Sequence, residues 1–467
     1  MTAPVGTAER PLRVAVVGSG PSGFYAIASI YKRAGLEAKV DLFDRLPTPY
    51  GLVRGGVAPD HQNIKVIAKK YHETAQHPGF RFFGHTTIGK DITVADLEAR
   101  YDAIVWAVGN ESDKRLGIPG EDLPGVHSAT ELVGWYNGHP DFRSRSFALD
   151  HAQRVAVVGN GNVSMDVARI LARQATELAD SDIAHYAHEM LEKSTIEEVV
   201  VLGRRGPAEA AFSPKEVKEL GELDDVDLVV DAQQVTLDAV SEAWMKNPDA
   251  PRTATKNVEF LRECAAKGPG TARRRIRLEF LASPVAFEGD GKLERVRIMK
   301  NALSFVDGEP RATPTGETWT LDCQLAFKAV GYRGIPVEGV PFDDRNGIIP
   351  NIEGRVLEHA GGPVRAGHYV VGWAKRGPTG LIGTNGPDAN ATIEMLVADL
   401  VGKERQAPAG GPIEALLAER NVFHTSFQDW LGLDLSEVSR GQAKGKIREK
   451  YASVEEMLAE IKRLREA

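Results

Sequence analysis

The hexapeptide RVAVVG occurs at residues 13–18 and again at residues 154–159, and these two copies decide the fold that the sequence predicts. Each copy is a continuous apolar run ending in glycine, which is typical of a parallel strand buried on both faces. The first copy continues as SGPSG and the second as NGNVS, and an amphipathic helical pattern follows each. The sequence therefore predicts two strand–loop–helix units that begin alike and continue differently.

The first unit carries a dinucleotide-binding pattern. Gly18, Gly20 and Gly23 fit GxGxxG, whose glycines permit a tight turn, the approach of a pyrophosphate and close packing of helix on strand. The N-terminus of the helix then offers unpaired N–H groups to the phosphates. A second strand, AKVDLFD, ends in Asp44, whose carboxylate can accept hydrogen bonds from both hydroxyls of an adenosine ribose. This unit is predicted to bind FAD.

The second unit differs at the end of its second strand. Its loop reads GNGNVS, and the residues placed to approach a pyrophosphate are Asn160, Gly161, Asn162 and Val163. The next strand, EEVVVLG, ends in Arg204 and Arg205 instead of an acid. Planar guanidinium groups suit a 2′-phosphate, which a carboxylate would repel. This unit is predicted to bind NADP(H), and a solvated arginine pair at a strand end is the alternative.

Composition excludes several other classes of protein. The 467 residues carry a net charge of -8, which argues against a nucleic-acid binder, and no apolar run reaches membrane-spanning length. The chain has two cysteines, Cys264 and Cys323, so it has no disulfide framework, no CxxC redox pair and no cysteine-ligated iron–sulfur cluster. We expect a cytoplasmic protein without a metal site.

Two further apolar strands of similar form indicate the domain boundaries. YDAIVWAVGNES at 101–112 and CQLAFKAVGYRG at 323–334 mark where the chain leaves the first domain and returns to it. The sequence therefore predicts an α/β fold of two Rossmann-like dinucleotide-binding domains. A discontinuous FAD domain is formed by residues 1–111 and 329–467, with a helical tail from about residue 406, and the NADP domain, 112–328, is inserted into it.

Longer motifs extend over nearly the whole chain: LPTPYGLVRGGVAPDHQNIK, GNGNVSMDVARIL, GRRGP, PFDDRNGIIPN and GWAKRGPTGLIGTN. In these motifs the sequence resembles the adrenodoxin reductase-like NADPH–ferredoxin reductases of mitochondria and actinobacteria. The resemblance implies a glutathione reductase-like architecture and an electron-transport flavoprotein, in which FAD takes a hydride from NADPH and passes electrons singly to an iron–sulfur ferredoxin. The tail TSFQDWLGLDLSEVSRGQAKGKIREK is similar to that of the longer, mitochondrial-type members. Because no mitochondrial presequence precedes Arg13, we expect a bacterial protein.

The resemblance also implies site residues. For FAD these are, besides the glycine loop, Ser22, Asp44, Leu52, Ile88, Trp373, Gly380, Leu381 and Ile382. For NADP(H) they are Asn160, Gly161, Asn162, Val163, Arg204, Arg205, Glu216 and Gly380. Asp44 stands where the family carries glutamate, so its arm is shorter.

Two further residues, His61 and Asp166, match a polar pair that is proposed to move protons near the flavin. The alternatives are a structural histidine and a hydrogen-bonding aspartate in a packing layer.

An acidic ferredoxin is the partner that the resemblance implies, bound transiently on a locally positive face. The densest basic segment is TARRRIRLEF, with Arg273, Arg274, Arg275 and Arg277, and a solvated strand is its alternative. Disulfide reductases of this fold hand electrons to paired cysteines, which this chain lacks. Two other classes stay open, namely a flavoprotein NADPH oxidoreductase module feeding another iron–sulfur protein, as in glutamate synthase-like assemblies, and a non-enzymatic NADP-binding protein.

Overall fold

The computed structural model describes residues 3–110 and 112–466. The chain divides into two compact units, the first formed by residues 1–112, 137–140 and 331–467, and the second by residues 113–136 and 141–330. These bounds differ from the predicted ones in three places: Ser112 and residues 137–140 belong to the first unit and not to the inserted domain, and residues 329–330 belong to the second unit. Lys450 Nζ donates a hydrogen bond to the backbone oxygen of Asn137 at 3.0 Å, which attaches this short segment to the first unit.

The β-strands of the described residues alternate with helices through most of the chain. They are β1 (Leu12–Val17), β2 (Ala38–Phe43), β3 (Phe80–Phe83), β4 (Ala103–Trp106), β5 (Ser112–Asp113), β6 (Val126–Ser128), β7 (Arg154–Val158), β8 (Glu198–Leu202), β9 (Val226–Val230), β10 (Arg274–Glu279), β11 (Ala282–Glu288), β12 (Arg295–Val306), β13 (Glu309–Asp322), β14 (Leu325–Lys328), β15 (Tyr332–Arg333), β16 (Asn351–Ile352), β17 (Arg355–Leu357) and β18 (Val364–Val370).

The α-helices of the described residues are numbered in chain order as well. They are α1 (Pro21–Tyr31), α2 (Leu52–Gly55), α3 (Gln62–Lys65), α4 (Ala68–Ala75), α5 (Val94–Glu98), α6 (Ala129–Tyr136), α7 (Asn162–Ala172), α8 (His185–Glu192), α9 (Pro214–Leu220), α10 (Ala239–Met245), α11 (Thr253–Lys267), α12 (Trp373–Arg376), α13 (Asn385–Leu400), α14 (Ile413–Glu419), α15 (Phe427–Gln442) and α16 (Val454–Glu466). Nowhere in the described ranges is a helix long and apolar enough to cross a membrane.

Each unit is built on one mainly parallel sheet. The first sheet has the order β16-β17-β18-β4-β1-β2-β3, in which β18, β4, β1, β2 and β3 pair in parallel. The second has the order β6-β14-β7-β8-β10-β9, and all of its pairs are parallel. An antiparallel sheet, β11-β12-β13, also belongs to the second unit. The two predicted Rossmann-like sheets are confirmed.

The two RVAVVG copies form the centre of these sheets because their alternating side chains are buried on both faces. In β1, Val14 and Val16 pack into one hydrophobic cluster, whereas Ala15 and Val17 pack into another on the opposite face. In β7, Val155 and Val157 likewise face one cluster, and Ala156 and Val158 face a second. This double burial explains why both strands read as continuous apolar runs.

Candidate functional site

The first glycine of each loop touches the end of a neighbouring strand. Gly18 has a φ of +106°, and a Cβ built on it would lie 2.3 Å from the backbone oxygen of Ala107, just beyond β4. Gly159 has a φ of +125°, and its Cβ would lie 2.4 Å from the backbone oxygen of Ala329, just beyond β14. Any other residue would clash and be strained at both positions, so the turn requires glycine.

The helix behind each loop begins without a side-chain cap. The N-cap residues of α1 and α7 are Gly20 and Gly161, which have no side chain to cap the helix, and the first turns contain no acidic residue. A Cβ at either glycine would meet no atom within 4 Å, so there is open space beside both N-termini. By contrast, α15 is capped by Ser426 and Asp429. Free N–H groups facing open space fit the pyrophosphate of a dinucleotide.

Asp44 lies at the predicted place, directly after β2, and is half-buried. Its Oδ2 accepts hydrogen bonds from the backbone N–H of Ser19, at 2.9 Å, and from the Ser19 hydroxyl, at 2.5 Å. Its Oδ1 accepts one from the N–H of Leu46, at 2.9 Å. Asp44 therefore fixes the glycine loop, a role that the sequence analysis missed, and its contact with a ribose stays a prediction.

The late glycine-rich loop, residues 372–384, meets the first glycine loop through a polar network within the first unit. Ser22 Oγ donates to Asn385 Oδ1 at 3.0 Å, and Arg376 Nη2 donates to the same oxygen at 2.9 Å. Asp388 Oδ2 accepts hydrogen bonds from the N–H of Gly372, at 2.7 Å, and from Arg376 Nη1, at 3.1 Å. The start of α13 thus holds together two loops that are about 350 residues apart in sequence.

The predicted flavin-facing residues lie in this loop, immediately before the N-terminus of α13. The indole of Trp373 stacks on Tyr332, with 5.2 Å between ring centroids, and its Nε1 donates to the backbone oxygen of Thr379. Gly380 has a φ of +82°, and the Leu381 side chain is 62% exposed. The positive end of a helix dipole behind this loop suits an anionic ring.

Three other residues of the first unit are candidates for its site. Leu52 begins α2 and is partly exposed, whereas the Ile88 side chain is buried in the core, so only its backbone remains for a ligand. Asn110, which the sequence analysis missed, follows β4 and is buried. Neither its Oδ1 nor its Nδ2 has a hydrogen-bond partner among the described residues. This buried amide lies three residues after Ala107, which contacts Gly18, and it fits a polar cofactor such as FAD.

In the second unit the predicted pyrophosphate loop begins α7. The Oδ1 of Asn162 accepts a hydrogen bond from the N–H of Ser213 at 2.8 Å, which fixes that side chain. The backbone oxygen of Asn160 accepts a hydrogen bond from the N–H of Ala211 at 3.1 Å, but the buried Nδ2 of Asn160 has no partner among the residues that the structure describes. Val163 is partly buried against the core. The free amide donor again fits a phosphate.

Arg204 and Arg205 follow β8 in the order that the sequence predicts. Neither guanidinium forms a hydrogen bond or an ion pair within the described ranges, although the Arg204 backbone oxygen accepts from Asn301 Nδ2 at 2.8 Å. Burial and the charge of Arg204 lower the pKa of Arg205. Two unpaired cations side by side repel each other, and an anion between them would relieve that repulsion. The pair therefore fits a 2′-phosphate.

Glu216 and Asp166 share one buried arginine. Arg169 is 1% exposed, and its Nη2 lies 2.7 Å from Asp166 Oδ1 while its Nη1 lies 3.4 Å from Glu216 Oε2. Glu219 is a third acid within 3.6 Å of Arg169. Asp166, Glu216 and Glu219 therefore lie around the buried guanidinium of Arg169 in the second unit. His61 belongs to the first unit, where it is buried and precedes α3.

Both cysteines are buried free thiols in the second unit. Burial raises the pKa of Cys264 above its usual value and raises the pKa of Cys323 to about 12. A thiol reacts with a disulfide as the thiolate, so neither group is suited to redox exchange.

The basic segment at 273–277 does not form one free cationic cluster. Arg274 Nη1 donates to the backbone oxygens of Ala172, at 3.2 Å, and Arg173, at 2.8 Å, at the end of α7. Arg277 pairs with Glu198 and Glu279. Only Arg273 and Arg275 are exposed, with guanidinium groups that have no partner in the described part of the chain.

Two parallel sheets, each with an uncapped helix behind a glycine turn, define a protein with two dinucleotide sites, the class of flavin- and pyridine nucleotide-dependent oxidoreductases. Residues 12–205 match the family described as pyridine nucleotide-disulphide oxidoreductase. The chain is 44% identical to the NADPH-ferredoxin reductase FprA of Mycobacterium tuberculosis, over 96% of this chain and 99% of that protein. It is 39% identical to the mitochondrial NADPH:adrenodoxin oxidoreductase of Homo sapiens, over 97% and 92%.

A solved structure, that of Mycobacterium tuberculosis FprA in complex with NADPH, is also similar. It superposes with a TM-score of 0.89 at 43% identity, over 97% of this chain and 100% of the other. The chain belongs to the family of adrenodoxin reductase-like NADPH–ferredoxin reductases. The predicted family and fold are confirmed.

The Gly372 position offers a test of the first unit's site. It has a φ of +70°, and a Cβ there would lie 1.9 Å from Ser22 Oγ. We expect Gly372→Ala to displace the Ser22 loop and to raise the FAD dissociation constant by roughly tenfold or more, since about 1.4 kcal/mol is a factor of ten. Gly377→Ala is the control, because Gly377 has a φ of +78° but no atom within 4 Å of its Cβ position. Equal FAD titrations for both variants would contradict the assignment.

Proposed function

We propose that the protein is an NADPH–ferredoxin oxidoreductase that uses FAD in the first unit and NADP(H) in the second. Its relatives are named NADPH-ferredoxin reductase and NADPH:adrenodoxin oxidoreductase, which supports NADPH as the electron donor and a ferredoxin-type iron–sulfur protein as the partner. When bound, FAD supplies the conversion of a two-electron hydride donor into a source of single electrons. The predicted cytoplasmic location stays a prediction.

One observation carries this proposal, namely the contrast between the residues that follow β2 and β8. Asp44 is an anion that is already hydrogen-bonded to its glycine loop, and it would repel a 2′-phosphate. The guanidinium groups of Arg204 and Arg205 form no hydrogen bond or ion pair within the described residues. The same scaffold thus suits an unphosphorylated adenosine ribose in the first unit and a phosphorylated one in the second.

The proposed residue roles follow from these positions. The free N–H groups of α1 and α7 would bind the two pyrophosphates, with Ser22 and Asn160 beside them. Trp373 and the backbone at 380–382 would line the flavin, where the N-terminus of α13 favours negative charge. For His61 and Asp166, transfer of protons stays a prediction. Arg169 already binds Asp166, which favours a structural role for that acid.

The cysteines support transfer to an external iron–sulfur protein. A disulfide reductase needs paired, accessible thiols near its flavin, whereas Cys264 and Cys323 are both buried and have raised pKa values. Electrons therefore leave for a separate acceptor. For an acidic ferredoxin that binds transiently, we propose docking at Arg273 and Arg275, whose charges are not used within the described structure.

The function is tested directly by turnover. The purified protein should be yellow, and denaturation should release FAD and not FMN. NADPH should drive the reduction of an added ferredoxin, followed through cytochrome c. Release of no FAD, or consumption of NADPH without reduction of any ferredoxin, would contradict the proposed function.

The arginine pair predicts the coenzyme preference. A charge-assisted hydrogen bond contributes about 1.5–3 kcal/mol, so loss of one or two with NADH should lower kcat/KM on the order of 10- to 10³-fold relative to NADPH. The effect should lie mainly in KM, because the phosphate is remote from the hydride and binds alike in ground and transition states.

The double variant Arg204→Ala/Arg205→Ala should lose most of that preference by weakening NADPH alone. Arg297→Ala is the control, since this exposed arginine is paired with Glu288. Wild-type use of NADH as efficient as that of NADPH would show that the pair is only a solvated strand end.

The docking proposal is tested by charge reversal. Arg273→Glu with Arg275→Glu should weaken ferredoxin reduction and flatten its dependence on salt, while reduction of a small neutral dye stays unchanged. The exposed pair Lys403→Glu with Arg405→Glu changes the net charge equally in the first unit and serves as the control. Equal losses with ferredoxin and dye would indicate a folding defect and remove the docking assignment.

A further inference from the structure

The segment between β2 and α2 makes a strained turn against the first glycine loop. Tyr50 has a φ of +86°, although it is not glycine, and Gly51 follows with a φ of +47°. The N–H of Tyr50 donates to the backbone oxygen of Ser19 at 2.9 Å, and a Cβ on Gly51 would lie 2.9 Å from the Cα of Gly20. A bulky residue at positive φ persists only where its surroundings hold it.

Trp430, from α15 of the C-terminal tail, contacts Tyr50 at the end of this segment and Arg54 in α2. The Tyr50 ring meets the indole edge-on, with 5.6 Å between centroids. The guanidinium of Arg54 lies over the same indole, 5.0 Å from its centroid. Trp430 is 3% exposed, so these contacts are shielded from water. One side chain of the tail therefore packs on the residues before and after the Gly51–Leu52 turn.

Glu437, about two turns further along the same helix, binds the guanidinium of Arg54. Arg54 Nη1 and Nη2 donate to the two carboxylate oxygens at 2.7 and 2.5 Å. Arg448 Nη1 and the N–H of Tyr451 also donate to Glu437, at 3.1 and 3.0 Å. Glu437 is fully buried, and burial alone would raise its pKa. The charges of Arg54 and Arg448 lower its pKa instead, so the group is ionised.

Lys450 binds the backbone of Arg54. Its Nζ donates to the backbone oxygen of Arg54 at 3.1 Å, so the tail binds both the side chain and the main chain of that residue. Tyr50, Gly51 and Arg54 all belong to the first unit, as does the whole tail. The tail thus contacts the segment that itself touches Gly20, at the N-terminus of α1.

We infer that the C-terminal segment 426–451 positions the Tyr50–Arg54 turn for FAD binding, with Trp430 and Glu437 as the positioning residues. This inference rests on the proposed function, in which FAD binds at the first glycine loop. The tail is then a fixed part of the flavin site, acting through Tyr50 and Gly51 on the loop at Gly20 and through α2 on the exposed Leu52.

Glu437→Gln is the direct test, because it keeps the shape of the side chain and removes the charge that holds Arg54. In the full-length holoenzyme we expect the FAD dissociation constant to rise on the order of tenfold, with altered absorbance and fluorescence of the remaining bound flavin. Glu460→Gln is the matched control. That tail carboxylate binds Arg463 and Ser436 and has no hydrogen bond to residues 50–54, so FAD binding should stay at the wild-type value.

Circular dichroism separates positioning from unfolding. If Glu437→Gln loses helix content, the Trp430→Phe variant tests the inference instead. It keeps an aromatic ring in the core but removes part of the surface on which the Arg54 guanidinium packs. We expect its FAD dissociation constant to rise as well. Wild-type FAD affinity and flavin spectra in a folded Glu437→Gln, or in Trp430→Phe, would overturn the inference, as would an equal loss in Glu460→Gln. Failure of the wild-type protein to bind FAD would instead contradict the proposed function.

Discussion

The close contact between a strand end and the first glycine of each loop is the constraint on which both sites depend. The backbone oxygens of Ala107 and Ala329 lie 2.3 and 2.4 Å from the positions that a Cβ on Gly18 and on Gly159 would take, too close for any side chain. This contact closes the turn so tightly that the following helix begins directly beyond the strand. The helix N–H groups then face open space at the carboxyl edge of the sheet. A dinucleotide site in this fold is a consequence of that geometry, before any side chain contributes.

The side chains decide which dinucleotide each site accepts. In the first unit, Asp44 uses both carboxylate oxygens to hold Ser19 and Leu46, so its charge is fixed beside the loop. In the second unit, Arg204 and Arg205 have no such partners in the described residues, and burial makes the charge of Arg205 costly until an anion arrives. A preorganised acid and a cation pair without hydrogen bonds or ion pairs in the described residues are opposite electrostatic environments on the same backbone.

The sequence was sufficient for the features that depend on local pattern. The two parallel strands, their glycine turns and the residues at the ends of β2 and β8 lie where periodicity and spacing predict them. The role of the basic segment at 273–277 was harder to predict. Arg274 caps α7 through Ala172 and Arg173, and Arg277 pairs with Glu198 and Glu279. Ala172, Arg173 and Glu198 come from distant parts of the chain, so a run of arginines does not reveal which of its side chains already have partners.

The site residues that could not be predicted from the sequence were missed for a similar reason. Asn385 and Asp388 hold the Ser22 and Gly372 loops together, yet in the sequence they are ordinary polar residues at the start of a helix. Asn110 is identifiable only because its buried amide has no partner in the described structure. Asn385 contacts Ser22 from 363 residues away, Asp388 contacts Gly372 from 16 residues away, and the Asn110 amide is identified by its burial. None of these relations is visible in a local sequence pattern.

The buried pair of Arg54 and Glu437 is best understood as a device for orientation. Removing two charges from water costs several kcal/mol per ion, so such a pair adds little net stability compared with apolar residues of the same size. Its bidentate geometry, however, allows one position of the guanidinium, and Trp430 covers the remaining face. Because Tyr50 is held at positive φ between the same indole and the glycine loop, an orienting pair here supports the one part of the site whose backbone is strained.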